Sequence, residues 1–313
     1  MIRDMNSTET TLGPLRIDSP LVLAPMAGYT DSPARRIARR MGAGMVVSEL
    51  ISAEGIARNQ QKTMDLLRFT TEEHPIGIQI FGRNADVMAE AARKAAELGP
   101  DFIDINMGCC APKVCAGGGG ATLLKDPAII ESLASAVARA VTIPVSVKIR
   151  IGWDDQHKNY TDIVHALENS GVAFISVHGR TRAQKFSGLA DWDIIAQIAQ
   201  NSSLPVIGNG DIRSHEDALY RLGSSGCRAV MIGRASVGNP WIFGNEAPAL
   251  GDIIGIMKTH LELMVDFYGD YGIILMRKHC VKYIHGFDNA AKVRTELLKA
   301  SAVADVFAIL DSL

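Results

Sequence analysis

Phe102-Ile103-Asp104-Ile105-Asn106-Met107-Gly108-Cys109 reads as the end of a buried strand, carried by Phe102, Ile103, Ile105 and Met107, that turns sharply and presents a thiol. Cys110-Ala111-Pro112-Lys113-Val114 continues the turn with a lysine, and four glycines follow at 117–120. A cysteine just past a strand end stands where barrels and open parallel sheets keep their chemistry. The glycine tract lacks the Gly-Lys-[Ser/Thr] of a Walker loop. Consecutive glycines carry high backbone entropy, so a mobile lid over the site is expected there.

Similar apolar runs recur on both sides of this stretch: Leu21–Pro25, Met45–Ser48, Ile76–Phe81, Phe102–Met107 itself, Val145–Ile149, Ala173–Val177, Pro205–Gly208 and Ala229–Ile232. They are short and several are rich in Val and Ile, as suits parallel strands buried on both faces. Helical stretches separate them. Asp31-Ser32-Pro33 caps one running to Met41, with Pro in the first turn. Others run from Asn84 to a Gly99 stop, from Asp126-Pro127 to Ala140, from Tyr160 to Ser170, from Trp192 to Gln200 and from His215 to Leu222. Strands alternating with helices at about 30 residues per unit predict an α/β fold, a (β/α)8 TIM barrel. A doubly wound sheet is the structural alternative. From Ala247 the strand pattern stops, and 253–268, 275–285, 290–300 and 302–310 read as helices alone. The expected organisation is a barrel over 1–246 and a helical domain over 247–313.

Bulk properties narrow the function. Net charge is -2 with a sequence pI near 6.4, so any surface for nucleic acid must be local. The five cysteines lack a paired framework, which fits a reducing compartment and a cytoplasmic location, and Cys109, Cys110 and Cys115 lack zinc spacing, so no metal is expected. The polar stretch 1–12 has no signal-peptide core, and no apolar run is long enough for a membrane span.

Polar residues gather at the strand ends. Pro25-Met26-Ala27-Gly28 follows the first strand and Glu49 the second; Gln79 lies in the third; Asn106 and Cys109 follow the fourth. Lys148 and Arg150 end the fifth, His178-Gly179-Arg180 the sixth, Asn209-Gly210-Asp211 the seventh and Gly233-Arg234 the eighth. In a barrel these converge on one face. Glycines after the last two strands suit a phosphate held by backbone N–H groups, with Arg234 adding charge. Lys148, within an apolar strand, must reach an anion or lose affinity for its proton.

In this order the pieces resemble the tRNA-dihydrouridine synthases. The resemblance rests on Leu-Ala-Pro-Met-Ala-Gly at 23–28 with Thr30-Asp31, Gln-Ile-Phe-Gly at 79–82, Asp-Ile-Asn-Met-Gly-Cys at 104–109, Ala-Pro-Lys-Val at 111–114 and the glycines running into Ala-Thr-Leu-Leu at 121–124. It continues through Pro-Val-Ser-Val-Lys-Ile-Arg at 144–150, Val-His-Gly-Arg-Thr-Arg at 177–182, Asn-Gly-Asp-Ile at 209–212 and Met-Ile-Gly-Arg at 231–234, and more weakly through Arg277-Lys278-His279 and Tyr283. It implies an FMN barrel with a helical RNA-binding domain and NADPH-dependent reduction of one uridine in tRNA. By similarity Pro25, Met26, Ala27, Gln79, Lys148, His178, Asn209, Gly210, Asp211, Gly233 and Arg234 would hold FMN, and Cys109 would be the proton donor. Asn106 and Arg150 are expected at the uracil's polar edge and Phe186 at its face. Lys113, Arg180, Arg182 and Lys185 are expected at the mouth for RNA, and Arg277, Lys278, Lys282, Lys292, Arg294 and Lys299 along the helices for phosphates.

Two departures stand out. Cys110 occupies the place of a usual proline, which leaves the loop freer and sets two oxidisable thiols side by side, able to form a strained vicinal disulfide. Ala34 stands where the family often has phenylalanine. Three other readings stay open on the residues alone: an FMN barrel oxidoreductase acting on a small pyrimidine such as dihydroorotate, a lyase using Lys148 as a Schiff base, and an RNA-binding protein without turnover. No dinucleotide fingerprint distinguishes NADPH from NADH.

Overall fold

The computed structural model describes residues 9–244, 246–286 and 288–313. Its centre is a parallel barrel of strands β1 (Leu21–Leu23), β2 (Val46–Val47), β3 (Ile76–Phe81), β4 (Phe102–Asn106), β5 (Val145–Arg150), β6 (Phe174–His178), β7 (Val206–Asn209) and β8 (Ala229–Ile232). Neighbours pair in the order 1-8-7-6-5-4-3-2, and a parallel bridge between Val22 and Met45 closes the ring. The doubly wound alternative is therefore excluded. A short extra strand, Ile51–Ser52, pairs with the upper end of β3.

The strands are buried throughout, but their two faces differ. Ile103 and Ile105, Val145, Val147 and Ile149, and Ile175 and Val177 point outward into one core shared with the surrounding helices. The alternate positions point inward, as the period of two requires. At the bottom these are Val22, Met45, Phe102, Phe174, Ile207 and Ala229, sealed by Leu12 and Ile17 of an antiparallel hairpin, Thr10–Leu12 with Leu15–Ile17. Higher up, the inward residues become polar: Gln79, Asp104, Ser146 and Lys148. A pattern that reads as uniformly buried strand thus divides into an apolar floor and a polar upper interior.

Helices α1 (Ser32–Arg40), α2 (Ala85–Ala96), α3 (Pro127–Ala140), α4 (Tyr160–Glu168), α5 (Trp192–Asn201) and α6 (His215–Ser225) ring the barrel. Side-chain caps at Asp31, Asn84, Asp126, Asp191 and Ser214 start five of them. Helices α7 (Leu250–Tyr268), α8 (Tyr271–Tyr283), α9 (Ala290–Lys299) and α10 (Val303–Asp311) enclose a separate core of Met257, Leu261, Met264, Met276, Leu297 and Leu310. Trp241, before the expected boundary, already belongs to that core. Helix α1 packs against α7. No described helix is long and apolar enough to cross a membrane.

Arg35 anchors α1. Its guanidinium donates to Glu73 at 2.6 Å and to the carbonyls of Thr30 and Arg68, with both charges fully buried. Removing one partner strands the other, so Arg35→Met is expected to cost about 3–5 kcal/mol in urea unfolding. Arg35→Met with Glu73→Leu should recover most of that loss. A single variant as stable as the wild type would show that the pair does not hold α1.

Candidate active site

One hydrogen-bonded chain runs across the upper barrel. Asp104 accepts from Gln79 Nε2 and from Ser146 Oγ, both at 2.6 Å. Gln79 Oε1 accepts from Asn106 Nδ2 at 2.8 Å, and Asn106 Oδ1 accepts from the backbone N–H groups of Gly108 and Cys109 at 3.2 and 2.9 Å. Burial pushes the Asp104 carboxyl up, opposed by its two donors and by Lys148 nearby. Strand register thus supports the turn bearing the thiol. Asp104 escaped the sequence reading; the signal was an acid at an inward position of an apolar strand.

Cys109 is half-buried, and burial pushes its thiol up, the direction a proton donor needs at neutral pH. Its carbonyl accepts from Ala121 N at 2.9 Å and Cys115 Sγ at 3.5 Å. Arg150 Nε donates to the Gly108 carbonyl at 2.8 Å. The glycine tract packs here: a Cβ on Gly120, at φ +57°, would lie 2.6 Å from the Cys109 carbonyl oxygen. Gly120 and Ala121 are buried and open a 3-10 helix, Gly120–Lys125. Of the tract expected to form a lid, Gly119 and Gly120 are buried and Gly120 is fitted against Cys109, because only a glycine allows that close approach, while Gly117 is exposed. All five cysteines are free thiols, Cys110 with its sulfur 3.8 Å from Arg150 Nη2.

Lys148 Nζ donates to Asn209 Oδ1 at 2.9 Å. Burial, with help from Arg150, lowers its pKa to about 8. His178 is buried and held neutral, first by burial and then by Arg150, Lys148, Arg180 and Arg234 around it. At the next turn the backbone N–H groups of Gly210, Asp211, Gly233 and Arg234 donate to no protein acceptor among the described residues. A Cβ at 233 would meet nothing closer than 3.6 Å. Four free N–H groups with Arg234 beside them fit a phosphate monoester.

The family model described as dihydrouridine synthase matches residues 22–312. The chain belongs to the dihydrouridine synthase family. It is 41% identical over 295 residues to a protein named tRNA-dihydrouridine synthase B from Pseudomonas syringae, covering 90% of this chain and 88% of that one. It is 40% identical over 315 residues to a probable tRNA-dihydrouridine synthase from Rhodobacter capsulatus, covering 96% and 97%. Among solved structures, histamine dehydrogenase from Rhizobium sp. 4-9 aligns with TM-score 0.57 at 14% identity, over 83% of this chain and 51% of that one. That likeness concerns the barrel fold alone.

Within this dihydrouridine synthase barrel, Gln79, Asn106, Cys109, Lys148, Arg150, His178, Asn209, Asp211 and Arg234 do converge on one end. Several stand differently from expectation. Arg180 is not at an exposed mouth: it is 1% exposed, donates to Asp211 at 2.6 Å and to the carbonyls of Ser187 and Gly188, and its Nη1 lies 3.3 Å from His178 Nε2. Asp211 also accepts from Ala190 N, so its carboxylate organises the turn whose N–H groups are free. Arg150 gives three N–H bonds to the carbonyls of Gly108, Thr181 and Lys185. Asn106 engages its amide within the protein. Both therefore hold loops rather than offer an open uracil edge. Arg182 lies over Trp153 at 4.3 Å. Phe186 is 57% exposed, with the Arg150 and Arg234 guanidinium groups 5.7 and 5.0 Å from its ring. Pro25 and Met26 are half-buried, Ala27 and Lys113 exposed. In the bundle, Arg277 and Arg294 cap the carbonyls of Ala300 and Ile284, whereas Lys282, Lys292 and Lys299 are exposed.

Asn106→Ala removes the acceptor for two N–H groups and a donor to Gln79. It is expected to lower stability by about 1–3 kcal/mol and to speed iodoacetamide labelling of Cys109 by loosening its turn. Unchanged labelling would mean that Asn106 does not position the thiol.

Proposed function

We propose that this chain reduces the 5,6 double bond of a uridine in tRNA, with FMN as cofactor, NADPH as reductant and the cytoplasm as its compartment. The observation that carries this reading is a thiol with raised proton affinity held at the end of the barrel whose polar upper interior bears a buried lysine, beside four N–H groups that donate to no protein acceptor among the described residues and are able to take a phosphate. The names of the relatives supply the substrate class.

The residues fit a flavin mononucleotide. Gly210, Asp211, Gly233 and Arg234 would hold its phosphate; Lys148, Asn209 and the neutral His178 would hold its ring. Gln79, already bonded at both ends of its amide, would serve by shaping the wall. When bound and reduced, flavin supplies a hydride to carbon 6 of uracil. The chain's own part is the proton: Cys109 gives its S–H proton to carbon 5 from the opposite face, and solvent reprotonates the thiolate. The reduction takes two electrons, supplied by NADPH. Lys148 would offer positive charge to stabilise the negative charge of the reduced cofactor. Phe186, exposed at the mouth, offers a face to a base lifted from its stack. Lys113, Arg182 and Lys185 at the mouth, with Lys282, Lys292 and Lys299 on the bundle, can follow RNA phosphates despite the net negative charge, which makes the bundle the RNA-binding part.

An anaerobic titration tests this. Protein loaded with FMN is reduced by NADPH, and unmodified tRNA is added while flavin absorbance is followed. Reoxidation by tRNA but not by orotate or free uracil is expected. Reoxidation by orotate alone would establish a small-pyrimidine oxidoreductase instead.

A further inference from the structure

Three buried polar side chains meet where α1 abuts the helical bundle: Asp31 at the N-cap of α1, His260 on α7 and His279 on α8. They are 4%, 1% and 3% exposed. Asp31 Oδ2, His260 Nε2 and His279 Nε2 each lack a hydrogen-bond partner among the described residues. One ligand atom from each residue lies within 4.8 Å of the others. An unsatisfied buried polar atom costs about 1–3 kcal/mol, and native proteins leave few of them. Three in one place mark a missing common partner.

In two of these residues the other polar atom is already committed as a ligand requires. Asp31 Oδ1 accepts from Ala34 N at 3.2 Å, which leaves Oδ2. His260 Nδ1 lies 3.1 Å from the Tyr283 hydroxyl. With Nδ1–H donating there, the lone pair sits on Nε2, the usual outer support of a metal-bound histidine. Burial holds both imidazoles neutral, His260 down to about 3 and His279 well below its ordinary value. A cavity of about 30 Å³ opens among Met26, Tyr29 and Thr30 of the barrel and His260, His279 and Tyr283 of the bundle. That is room for roughly one water.

We propose that Asp31, His260 and His279 bind a divalent transition cation of the zinc class, which cross-links the barrel to the helical bundle. Two neutral imidazoles and a carboxylate form a three-ligand zinc set, with a water completing the tetrahedron. Metal–ligand bonds of about 2.0–2.2 Å require the donor atoms to draw in from their present spread, within 4.8 Å of one another. Lys278 and Glu49 also act on Asp31, with opposite sign. Lys278 is half-buried, 5.8 Å from the Tyr29 ring. The cysteines, the residues usually searched for zinc, take no part. The ligands come from opposite ends of the chain, so no spacing motif reveals them.

The test uses tag-free full-length protein from zinc-supplemented culture. Elemental analysis after gel filtration is expected to find about one zinc per chain. Cobalt(II) added to metal-free protein should give visible d–d bands, and a chelator should lower Tm. His279→Gln and His260→Gln, checked for folding by circular dichroism, should lose the zinc, the cobalt bands and the chelator response. Folded wild type without stoichiometric metal and with a featureless cobalt spectrum would overturn the proposal and leave a buried water as the common partner. Zinc retained by both variants would place the ion elsewhere and overturn it equally.

Discussion

Cys109→Ala is expected to slow single-turnover reduction of tRNA by about 10²–10⁴-fold, the usual worth of a positioned general acid, while flavin content stays at the wild-type level. Cys109 is the thiol whose backbone is fastened from three sides: by Asn106 at its N–H, by Ala121 and Cys115 at its carbonyl, and by Arg150 through Gly108. Its raised proton affinity comes first from burial, so the acid form persists at neutral pH. Cys110 has no comparable fastening beyond a long contact with Arg150. Cys110→Ala should therefore stay within a few-fold of wild type. Rapid-quench measurement of dihydrouridine formation separates the two. An active Cys109→Ala beside an inactive Cys110→Ala would transfer the acid to Cys110.

Lys148→Met is expected to weaken FMN binding by about 10–100-fold, the equivalent of losing a charge-assisted hydrogen bond of ~1.5–3 kcal/mol. The pH dependence identifies the cause. In the free protein Lys148 has its pKa lowered to about 8, against ~10.4 in the unfolded chain. The unfolded state therefore binds more protons between these values, and this residue's contribution to stability rises as pH increases through that window. FMN affinity runs the other way. The anionic cofactor binds the ammonium form, so affinity should fall by about tenfold per unit above pH 8. Lys148→Met should flatten both profiles. Fluorescence titration of apoprotein with FMN, and urea unfolding across pH 7–10, measure them. A variant that keeps the wild-type affinity and slope would remove Lys148 from the cofactor site.

Much of the barrel was legible along the chain, because each strand is a short apolar run and most surrounding helices start at a capping side chain such as Asp31, Asn84 or Asp126. The matched motifs led to the family before any coordinates. What stayed hidden depends on which way side chains point. The register of β4 turns Asp104 inward with Phe102 and Asn106, while Ile103 and Ile105 face the helices. Alternation of this kind is invisible when both faces are buried. The hairpin at Thr10–Ile17 was missed because its strands are only three residues each. Arg180, at the end of the sixth strand, is expected at the mouth, yet folding places Asp211 and two carbonyls around it, and those partners lie up to 31 residues away.

The sequence by itself determined the barrel, the all-helical C-terminal part, the family and the cysteine at the strand end, since these rest on local periodicity and on residues adjacent in the chain. Only the tertiary structure decided which polar groups are free and which are committed. Asn106 and Arg150 hold loops, the N–H groups after β7 and β8 stay open, and Asp31, His260 and His279 meet unpartnered. Hydrogen-bond satisfaction is a property of packed neighbours distant in sequence, and no local pattern encodes it.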